Sequence, residues 1–255
     1  MRCALISDIH ANLPALTSVL GDIERRGVDA IYHLGDLVGY APWPNEVVAT
    51  LRGAGIPGVA GNYDSTVATG YKHCGCRSEN AHQEALSHRS FEWTLAHTSA
   101  ESNRFLAGLP FRLDIRPLGG HVAGPAVRLV HGGHALNTVY VTGDRSDDFL
   151  RKMAESMGAS TGDVICFGHT HVPWHRTVGG VHFVNTGSVG RPKDGDPRAG
   201  YALLVVTGHG VAVEFVRVEY DVEAAARAIV ASGLPCEFAD FLRAGGRVPV
   251  AETGG

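Results

Sequence analysis

The sequence is poor in the features that mark several specialised classes of protein. Its 255 residues include only five cysteines, and its net charge is −4 when histidine is counted as neutral. No basic excess therefore indicates a nucleic-acid or anionic-membrane surface. No apolar run approaches the length of roughly 20 residues that spans a bilayer. Because Arg2–Ile6 already has the pattern of a strand rather than of a leader, we expect a cytoplasmic protein without a membrane partner.

The five cysteines cannot all pair with one another, because five is an odd number. Cys3 and Cys166 lie in apolar runs and Cys236 stands alone, which is typical of reduced thiols. Cys74 and Cys76 have histidines on both sides and could bind a metal or form a redox pair. Their spacing is not the usual Cys-x-x-Cys of such sites. We therefore expect a structured loop with free thiols.

The first part of the chain alternates between strand and helix patterns. Short apolar runs at 2–7, 29–34 and 56–60 are typical of buried strands. Between them, 12–27 has an amphipathic stripe with Asn and Gly at its ends, and a second helical pattern covers about 45–52. Strand–helix–strand units of this length predict parallel strands with helices on the faces of the sheet.

Residues 65–108 break the alternation and carry helical spacing, so we interpret them as a helical insertion. Six strand-like runs follow it, and glycine-rich turns between some of them favour hairpins and an antiparallel second sheet. These runs are 111–115, 126–131, 163–167, 181–185, 201–206 and 211–219. A late helix is predicted over 222–232, and the tail at about 246–255 is expected to fray.

Five short polar motifs each follow an apolar run, so each is expected in a loop at the carboxyl end of a strand. They are Asp8-Ile9-His10, Gly35-Asp36, Gly61-Asn62-Tyr63-Asp64, His131-Gly132 and Gly168-His169-Thr170-His171. Taken singly, each has an ordinary explanation as a turn, a helix cap or a core histidine. Together they bring two aspartates, one asparagine and four histidines to one edge, and these residue types bind transition metals.

The order of these motifs resembles the signature D-x-H, G-D, G-N-x-[DE], x-H-G, G-H-x-H of the calcineurin-like metallophosphoesterase superfamily. Residues 185–198, with their Asn-x-Gly-Ser start, resemble its small bacterial and archaeal phosphodiesterase-like branch. The resemblance implies an α/β fold of the mixed α+β kind. Two packed mixed β-sheets would be flanked by helices in a four-layer αββα sandwich. One metallophosphoesterase domain would cover 1–255, with the helical insertion at about 65–108.

The resemblance also implies a site for two divalent metal ions. One ion would be held by Asp8, His10 and His171, the other by Asn62, His131 and His169, and Asp36 would bridge them. Mn²⁺, Fe, Co, Ni and Zn all suit such a mixture of oxygen and imidazole ligands. With ions roughly 3.5–4 Å apart, the implied chemistry is in-line attack on phosphorus by a hydroxide held between them.

Tyr63 departs from the pattern, because many members of the superfamily have histidine at this position. That histidine is thought to protonate the leaving group or to stabilise the transition state. A phenol, with a pKa of about 10 against about 6.5 for imidazole, is a poorer acid at neutral pH. Tyr63 is therefore either a catalytic hydrogen-bond donor or a wall of the pocket.

Other residues near the motifs are weaker candidates for a role in the site. His134 and Arg191 could touch the substrate, although surface positions are common for both residue types. Arg198 could meet a phosphate, and Trp43 could form an apolar wall. Asn12 could orient a metal ligand or simply cap the first helix.

We expect a metal-dependent hydrolase of small phosphoesters, with phosphodiesters favoured over monoesters. A phosphomonoesterase or protein phosphatase and a dinucleoside polyphosphate hydrolase are the enzymatic alternatives, because one metal core serves all of them. The alternative of another class is an interaction scaffold of the same fold with weak catalysis. The complete set of seven metal ligands argues against the scaffold, because a scaffold does not need them. Oligomeric state stays open.

Overall fold

The computed structural model describes residues 1–76, 80–116, 124–208 and 210–247. The strands in this part of the chain are β1 (Arg2–Ile6), β2 (Ala30–His33), β3 (Leu113–Ile115), β4 (Val127–Leu129), β5 (Val164–Phe167), β6 (Trp174–Val178), β7 (Val181–Asn185), β8 (Ala199–Thr207) and β9 (Gly210–Val218). The helices are α1 (Leu13–Arg26), α2 (Pro44–Gly53), α3 (Asn62–Ala68), α4 (Ala81–His97), α5 (Ala100–Ala107), α6 (Asp147–Ser156), α7 (Val222–Ala231) and α8 (Glu237–Arg243).

Helix α1 shows how local sequence sets the boundaries of an element. The Asn12 side chain accepts a hydrogen bond from the Ala15 amide, and Pro14 in the first turn lacks the amide that would go unsatisfied there. Arg25 and Arg26 stand in the last turn, where positive charge suits the helix dipole. Gly27 ends the helix with a φ of 62°, a value that glycine adopts without a steric penalty.

The strands form two sheets, with orders β2-β1-β8-β9 and β3-β4-β5-β7-β6. In the first sheet β1 pairs in parallel with β2, while β8 and β9 add as an antiparallel hairpin. In the second sheet β4, β5 and β7 are parallel, and β3 and β6 pair antiparallel at its two edges. Both sheets are therefore mixed.

Three apolar clusters hold the layers together. Alternate residues of β1 point to opposite faces, so Leu5 packs between the sheets and Ile6 packs against the helices. The inter-sheet cluster joins Leu5 to Leu129 and Leu204 from the two sheets. A third cluster packs α6 on the outer face of the second sheet, with Phe167 fully buried in it. The result is the predicted four-layer order of helices, sheet, sheet and helix.

Several details differ from the sequence-based expectations. The run 56–60 forms an isolated parallel bridge between Gly58 and His33 rather than a strand. The second sheet is not antiparallel, because α6 carries the chain from β4 to β5 as a crossover and so makes that pair parallel. The expected hairpin at 201–219 does form, but it extends the first sheet. Strand β6 and helices α6 and α8 were not anticipated.

Residues 65–108 contain most of α3 and all of α4 and α5. Phe91 and Leu106 from these helices are buried in the cluster that covers the first sheet. No helix among the described residues is long and apolar enough to cross a membrane. The predicted fraying of 246–255 falls almost wholly on 248–255, outside the described residues.

Candidate metal centre

The motif loops meet at one edge of the sandwich, where backbone hydrogen bonds tie them together. The Asp8 amide donates to the Gly35 carbonyl at 3.0 Å, which joins the loops after β1 and β2. In the second sheet the Gly168 amide donates to the His131 carbonyl at 2.8 Å. The His169 amide then donates to Asp8 Oδ2 at 3.0 Å and connects the two sheets. The convergence expected from strand order is therefore present.

The backbone at this edge is strained. Seven non-glycine residues in the described part of the chain have positive φ, between 49° and 65°. Five of them are predicted metal ligands: Asp8, His10, Asp36, His169 and His171. Such conformations cost about 1–3 kcal/mol each and persist only where surrounding contacts fix them, most often at functional sites.

Two motif glycines let the loops approach closely. A Cβ at Gly168 would lie 2.0 Å from Ser7 Oγ and 2.4 Å from Asp8 Oδ2. A Cβ at Gly61 would lie 2.1 Å from Asp36 Oδ1. Any side chain at either position would displace a carboxylate of the site, which explains why glycine precedes both ligand-bearing motifs.

The first group of predicted ligands consists of Asp8, His10 and His171, whose ligand atoms lie within 4.8 Å of one another. The Nε2 atoms of the two histidines are 3.2 Å apart, and Asp8 Oδ1 is 3.2 Å from His171 Nε2. The Nδ1 atoms face the Val38 and Arg191 carbonyls, which can only accept hydrogen bonds. Each Nδ1 therefore carries the proton, and both Nε2 lone pairs point into the centre.

The second group consists of Asp36, His131 and His169. His131 Nδ1 donates to the Leu34 carbonyl at 2.7 Å, so its Nε2 faces His169 Nδ1 at 3.2 Å. Asn62 Oδ1 lies 3.1 Å from the same His131 Nε2 and adds an oxygen to the group. The structure therefore brings together the three residues that the sequence predicts as ligands of the second ion, namely Asn62, His131 and His169.

Asp36 lies between the two groups. Its Oδ1 accepts a hydrogen bond from the Tyr63 amide at 2.9 Å. Its Oδ2 is 3.4 Å from His131 Nε2 in one group and 3.7 Å from His10 Nε2 in the other. One oxygen is thus fixed by the backbone while the other faces both sets of imidazoles, as a bridging carboxylate requires.

The residues present fit a pair of divalent cations. Asp8 Oδ1 is buried and has no hydrogen-bond donor among the described residues, although Oδ2 accepts from Ser7 Oγ at 2.7 Å. A buried carboxylate oxygen without a partner is costly, as are two nitrogen lone pairs that face each other. Cations between these atoms would satisfy all of them. Carboxylate, amide and imidazole donors suit Mn²⁺, Fe, Co, Ni or Zn.

Electrostatics at the centre also favours cations. Burial lowers the pKa of His10 to about 3 and, with the charge of His131, that of His169 to about 3, so both rings are neutral. Burial alone would lower the pKa of His131 as well, but Asp36 raises it to about 10. Burial would raise the pKa of Asp36, yet His131 holds it below the usual range. The carboxylate field thus retains a proton on His131, which a bound cation would displace.

A cleft of about 1330 Å³ opens in front of the two groups. Ligands of both groups line it. Four cationic side chains also line it, those of Arg145, Arg191, Lys193 and Arg247. Aromatic side chains from Tyr40, Tyr140, Phe238 and Phe241 form much of the remaining wall. Apart from Asp36, Glu237 is the one carboxylate among its described lining residues.

The comparisons with known proteins decide the family. A model of the calcineurin-like phosphoesterase superfamily domain matches residues 1–209. The chain belongs to this superfamily. It is 32% identical over 249 residues to the protein MJ0912 of Methanocaldococcus jannaschii, covering 91% of this chain and 93% of that protein. The motif resemblance is thereby confirmed.

Solved structures agree with this assignment. The chain is similar to a metallophosphoesterase from Sphaerobacter thermophilus, with 30% identity and a TM-score of 0.74 over 96% of this chain and 99% of the other. The hypothetical protein PH1004 from Pyrococcus horikoshii OT3 has 21% identity and a TM-score of 0.80 over 97% and 99% of the two chains. At that identity the second likeness supports the fold alone, and the predicted fold class is confirmed.

Tyr63 occupies the position at which many superfamily members carry histidine. Its side chain is fully buried, and its hydroxyl donates to Ser90 Oγ of α4 at 3.3 Å. Its ring packs edge-on against His10, with centroids 5.7 Å apart. Burial raises the pKa of Tyr63 well above its ordinary value, and the nearby Tyr40 adds to the shift. These contacts favour the pocket wall over the proton donor.

The residues that the sequence marked as weaker candidates for the site differ in where the structure places them. Arg191 lines the cleft, whereas His134 is exposed on its loop and is not among the residues that line it. Arg198 is exposed and paired with Asp196 at 2.7 Å. Asn12 does more than cap α1, because its Nδ2 also donates to the Gly190 carbonyl at 3.0 Å. Trp43 packs in a separate apolar cluster with α7 and α8.

The expectation of free thiols at Cys74 and Cys76 is wrong. The two residues form a disulfide, with their Cα atoms 5.4 Å apart. Gly75, with a φ of 74°, folds the chain between them and brings both side chains to the same side. The remaining three cysteines are free, as expected. The disulfide borders the metal centre, because Asn62 Nδ2 lies 3.5 Å from Cys76 Sγ.

Sequence reasoning missed one neighbour of the ligands and assigned no contact to two others. The Tyr140 ring lies on His169, with centroids 4.2 Å apart, and comes from an irregular loop without a recognisable pattern. Asn185 Nδ2 donates to the Gly168 carbonyl at 2.7 Å and so supports the last motif. Ser188 Oγ donates to the Asp8 carbonyl at 2.7 Å. The Asn-x-Gly-Ser segment could have indicated the last two.

Proposed function

We propose that the protein is a dinuclear metal-dependent phosphoesterase that prefers phosphodiesters. The observation that carries the proposal is Asp36, whose Oδ2 faces His131 and His10, one histidine from each ligand group. Superfamily membership supports a metal-dependent phosphoesterase in general. The proposed metal ligands are Asp8, His10, Asp36, Asn62, His131, His169 and His171.

The side chains of the site would each have a defined task. When bound, two divalent cations supply positive charge for the phosphoryl oxygens and lower the pKa of water enough to give hydroxide near neutral pH. The carbonyls of Val38, Arg191 and Leu34 hold three of the histidines in the tautomer that presents Nε2. The surrounding strained loops keep these groups in place before substrate arrives.

Release of the leaving group would depend little on protein acid catalysis. The Tyr63 hydroxyl faces Ser90 and keeps its proton far above neutral pH. We therefore propose that Tyr63 is a wall residue and that esters of acidic alcohols and phenols react fastest.

The size of the cleft supports diesters over monoesters. A volume of about 1330 Å³ exceeds the 300–1,000 Å³ that commonly suffices for a drug-sized ligand. It leaves room for a group on each side of a phosphate held by the two cations. A monoester would fill only one side.

Turnover of chromogenic esters with each divalent metal tests the proposal. Bis(p-nitrophenyl) phosphate should be hydrolysed with Mn²⁺ present, with a higher kcat/KM than p-nitrophenyl phosphate. Asp36→Asn should lose both turnover and bound metal, as measured by mass spectrometry of the metal content. The matched control Asp148→Asn, at an exposed position on α6, should keep both. Absence of turnover under every metal would instead favour a scaffold role.

A further inference from the structure

Arg191 has an unusual environment for an arginine in a cleft. Its guanidinium lies 3.9 Å from the centroid of the Tyr40 ring and 3.8 Å from that of Phe241. A third ring, Phe238, is 5.8 Å away. Stacking between aromatic faces fixes the planar group in one orientation and leaves its N–H donors at the edges.

No carboxylate of the described residues forms an ion pair with this guanidinium. The comparison with Arg128, a buried arginine of β4, is direct. Arg128 pairs with Asp163 at 2.8 Å and also donates to the Met157 and Gly158 carbonyls. Among the described residues, by contrast, the Arg191 guanidinium forms no hydrogen bond or ion pair and instead packs on the rings of Tyr40 and Phe241. A half-buried cation that no anionic group compensates is costly, and a bound anion would offset that cost.

The position of Arg191 relative to the metal centre is fixed at two points. Its carbonyl accepts the hydrogen bond from His171 Nδ1. On its side-chain end, the guanidinium packs on the Tyr40 ring, and that ring contacts His10 edge-on, with centroids 5.0 Å apart. The guanidinium therefore shares the Tyr40 ring as a neighbour with His10 of the first ligand group. Arg191 and ligands of both groups line the same cleft, so one extended substrate can contact the guanidinium and the metal ligands together.

Further positive charge surrounds the same end of the cleft. Lys193 follows two residues later and lines the cleft, as does Arg247. Glu237 is the single opposing carboxylate among the described lining residues outside the metal centre. The field at this end favours an anion.

We propose that Arg191, clamped between Tyr40 and Phe241, forms an anion subsite that binds a second phosphate of the substrate, separate from the phosphate that is cleaved. The substrate class is then a phosphoester with an additional terminal phosphate, such as a phosphorylated nucleotide ester. The inference rests on the proposed function only in placing the scissile phosphate at the two ligand groups.

Binding of phosphonates that cannot be hydrolysed tests the subsite apart from catalysis. Alkane bisphosphonates with spacers of three to six methylenes would be compared with the matched alkyl monophosphonates by calorimetry on Mn²⁺-loaded protein. One spacer length should bind about 10- to 100-fold more tightly than its monophosphonate, the effect of one charge-assisted bidentate contact. Raised salt should reduce that advantage.

Substitutions test whether the tighter binding of the bisphosphonate depends on Arg191. Arg191→Gln should abolish the bisphosphonate advantage, while Arg198→Gln, the same change at an exposed arginine in the same segment, should keep it. Phe241→Leu retains the charge and removes one clamping face, so it should give an intermediate advantage even if Arg191→Gln folds poorly.

Three outcomes overturn the inference, and the first two are equal affinity for the paired phosphonates and an advantage that persists in Arg191→Gln. An equal loss for both ligands in Arg191→Gln would also overturn it, since that result places Arg191 at the metal-bound phosphate. Failure of chromogenic turnover, by contrast, would count against the proposed function without touching the binding difference.

Discussion

Asn62 Nδ2 donates a hydrogen bond to the Cys74 carbonyl at 2.9 Å, and this bond turns Asn62 Oδ1 toward His131 Nε2, 3.1 Å away. The amide is thus oriented by a loop outside the motif that contains it. The orientation of this candidate ligand of the second ion therefore depends on the loop 74–76.

Asn62→Leu should therefore weaken one metal site selectively. Leucine is close to asparagine in volume but offers no oxygen, so about one ion per chain should be lost while the group around Asp8 keeps its own. Metal content after gel filtration, measured by mass spectrometry, checks this. Ser65→Ala, one helical turn away on α3, is the control and should retain the full content. Loss of both ions from Asn62→Leu would show that the two groups do not bind independently.

The disulfide predicts a definite thiol count. Unfolded in denaturant without reductant, the protein should expose three reactive thiols, from Cys3, Cys166 and Cys236. After reduction the count should rise to five, the number in the sequence. Titration with a chromogenic disulfide reagent measures both values. Five thiols before reduction would contradict the pairing of Cys74 with Cys76.

Tyr63→His should raise kcat for esters with poor leaving groups. The substitution restores an imidazole, whose ordinary pKa of about 6.5 suits proton donation near neutral pH. A gain of about 10-fold or more is expected for an alkyl ester, with little change for bis(p-nitrophenyl) phosphate. Tyr63→Phe controls for removal of the hydroxyl and should behave like the parent. An unchanged kcat for the alkyl ester would argue against the leaving-group explanation.

His33 should make stability depend on pH. Its side chain is fully buried, neither ring nitrogen has a partner among the described residues, and burial lowers its pKa to about 4. The unfolded chain takes up the proton near pH 6.5, so the stabilisation is present above that pH and is lost as pH falls from about 6.5 to about 4. At 1.36 kcal/mol per pKa unit, the loss is about 3 kcal/mol.

His33→Leu should reduce that slope. Urea unfolding of metal-free protein at pH 7 and pH 4.5 gives the two free energies of unfolding for each variant. The decrease between the two pH values should be smaller in His33→Leu than in the parent. His88→Leu, an exposed position on α4, should keep the parent slope. Identical slopes in all three proteins would exclude His33 as the source.

The sequence was sufficient to indicate which side chains converge at the candidate metal centre, because their signal is local. Asp8 and His10, like His169 and His171, follow apolar strands at a spacing of two, and strand order brings their loops together. The same reasoning failed where long-range packing decides the outcome. The run 56–60 has strand composition, yet it meets only the end of β2 at Gly58. Helix α8 and Tyr140 carried no periodic signal, and both line the cleft.

Tyr63 shows the same limit of sequence-based prediction within the site itself. Its residue type predicted a poor acid, but only the structure reveals that its hydroxyl points to Ser90. Likewise, arginine at 191 indicated an anion, whereas the aromatic clamp of Tyr40 and Phe241 depends on α8 folding back over the cleft.

Each proposed ion draws its ligands from both sheets. In one group Asp8 follows β1 of the first sheet and His171 follows β5 of the second, and in the other Asp36 follows β2 while His131 follows β4. The two ions would therefore act as cross-links between the halves of the sandwich. Their binding energy would add to the free energy of unfolding, so the cell's metal supply would set the lifetime of this fold as well as its activity.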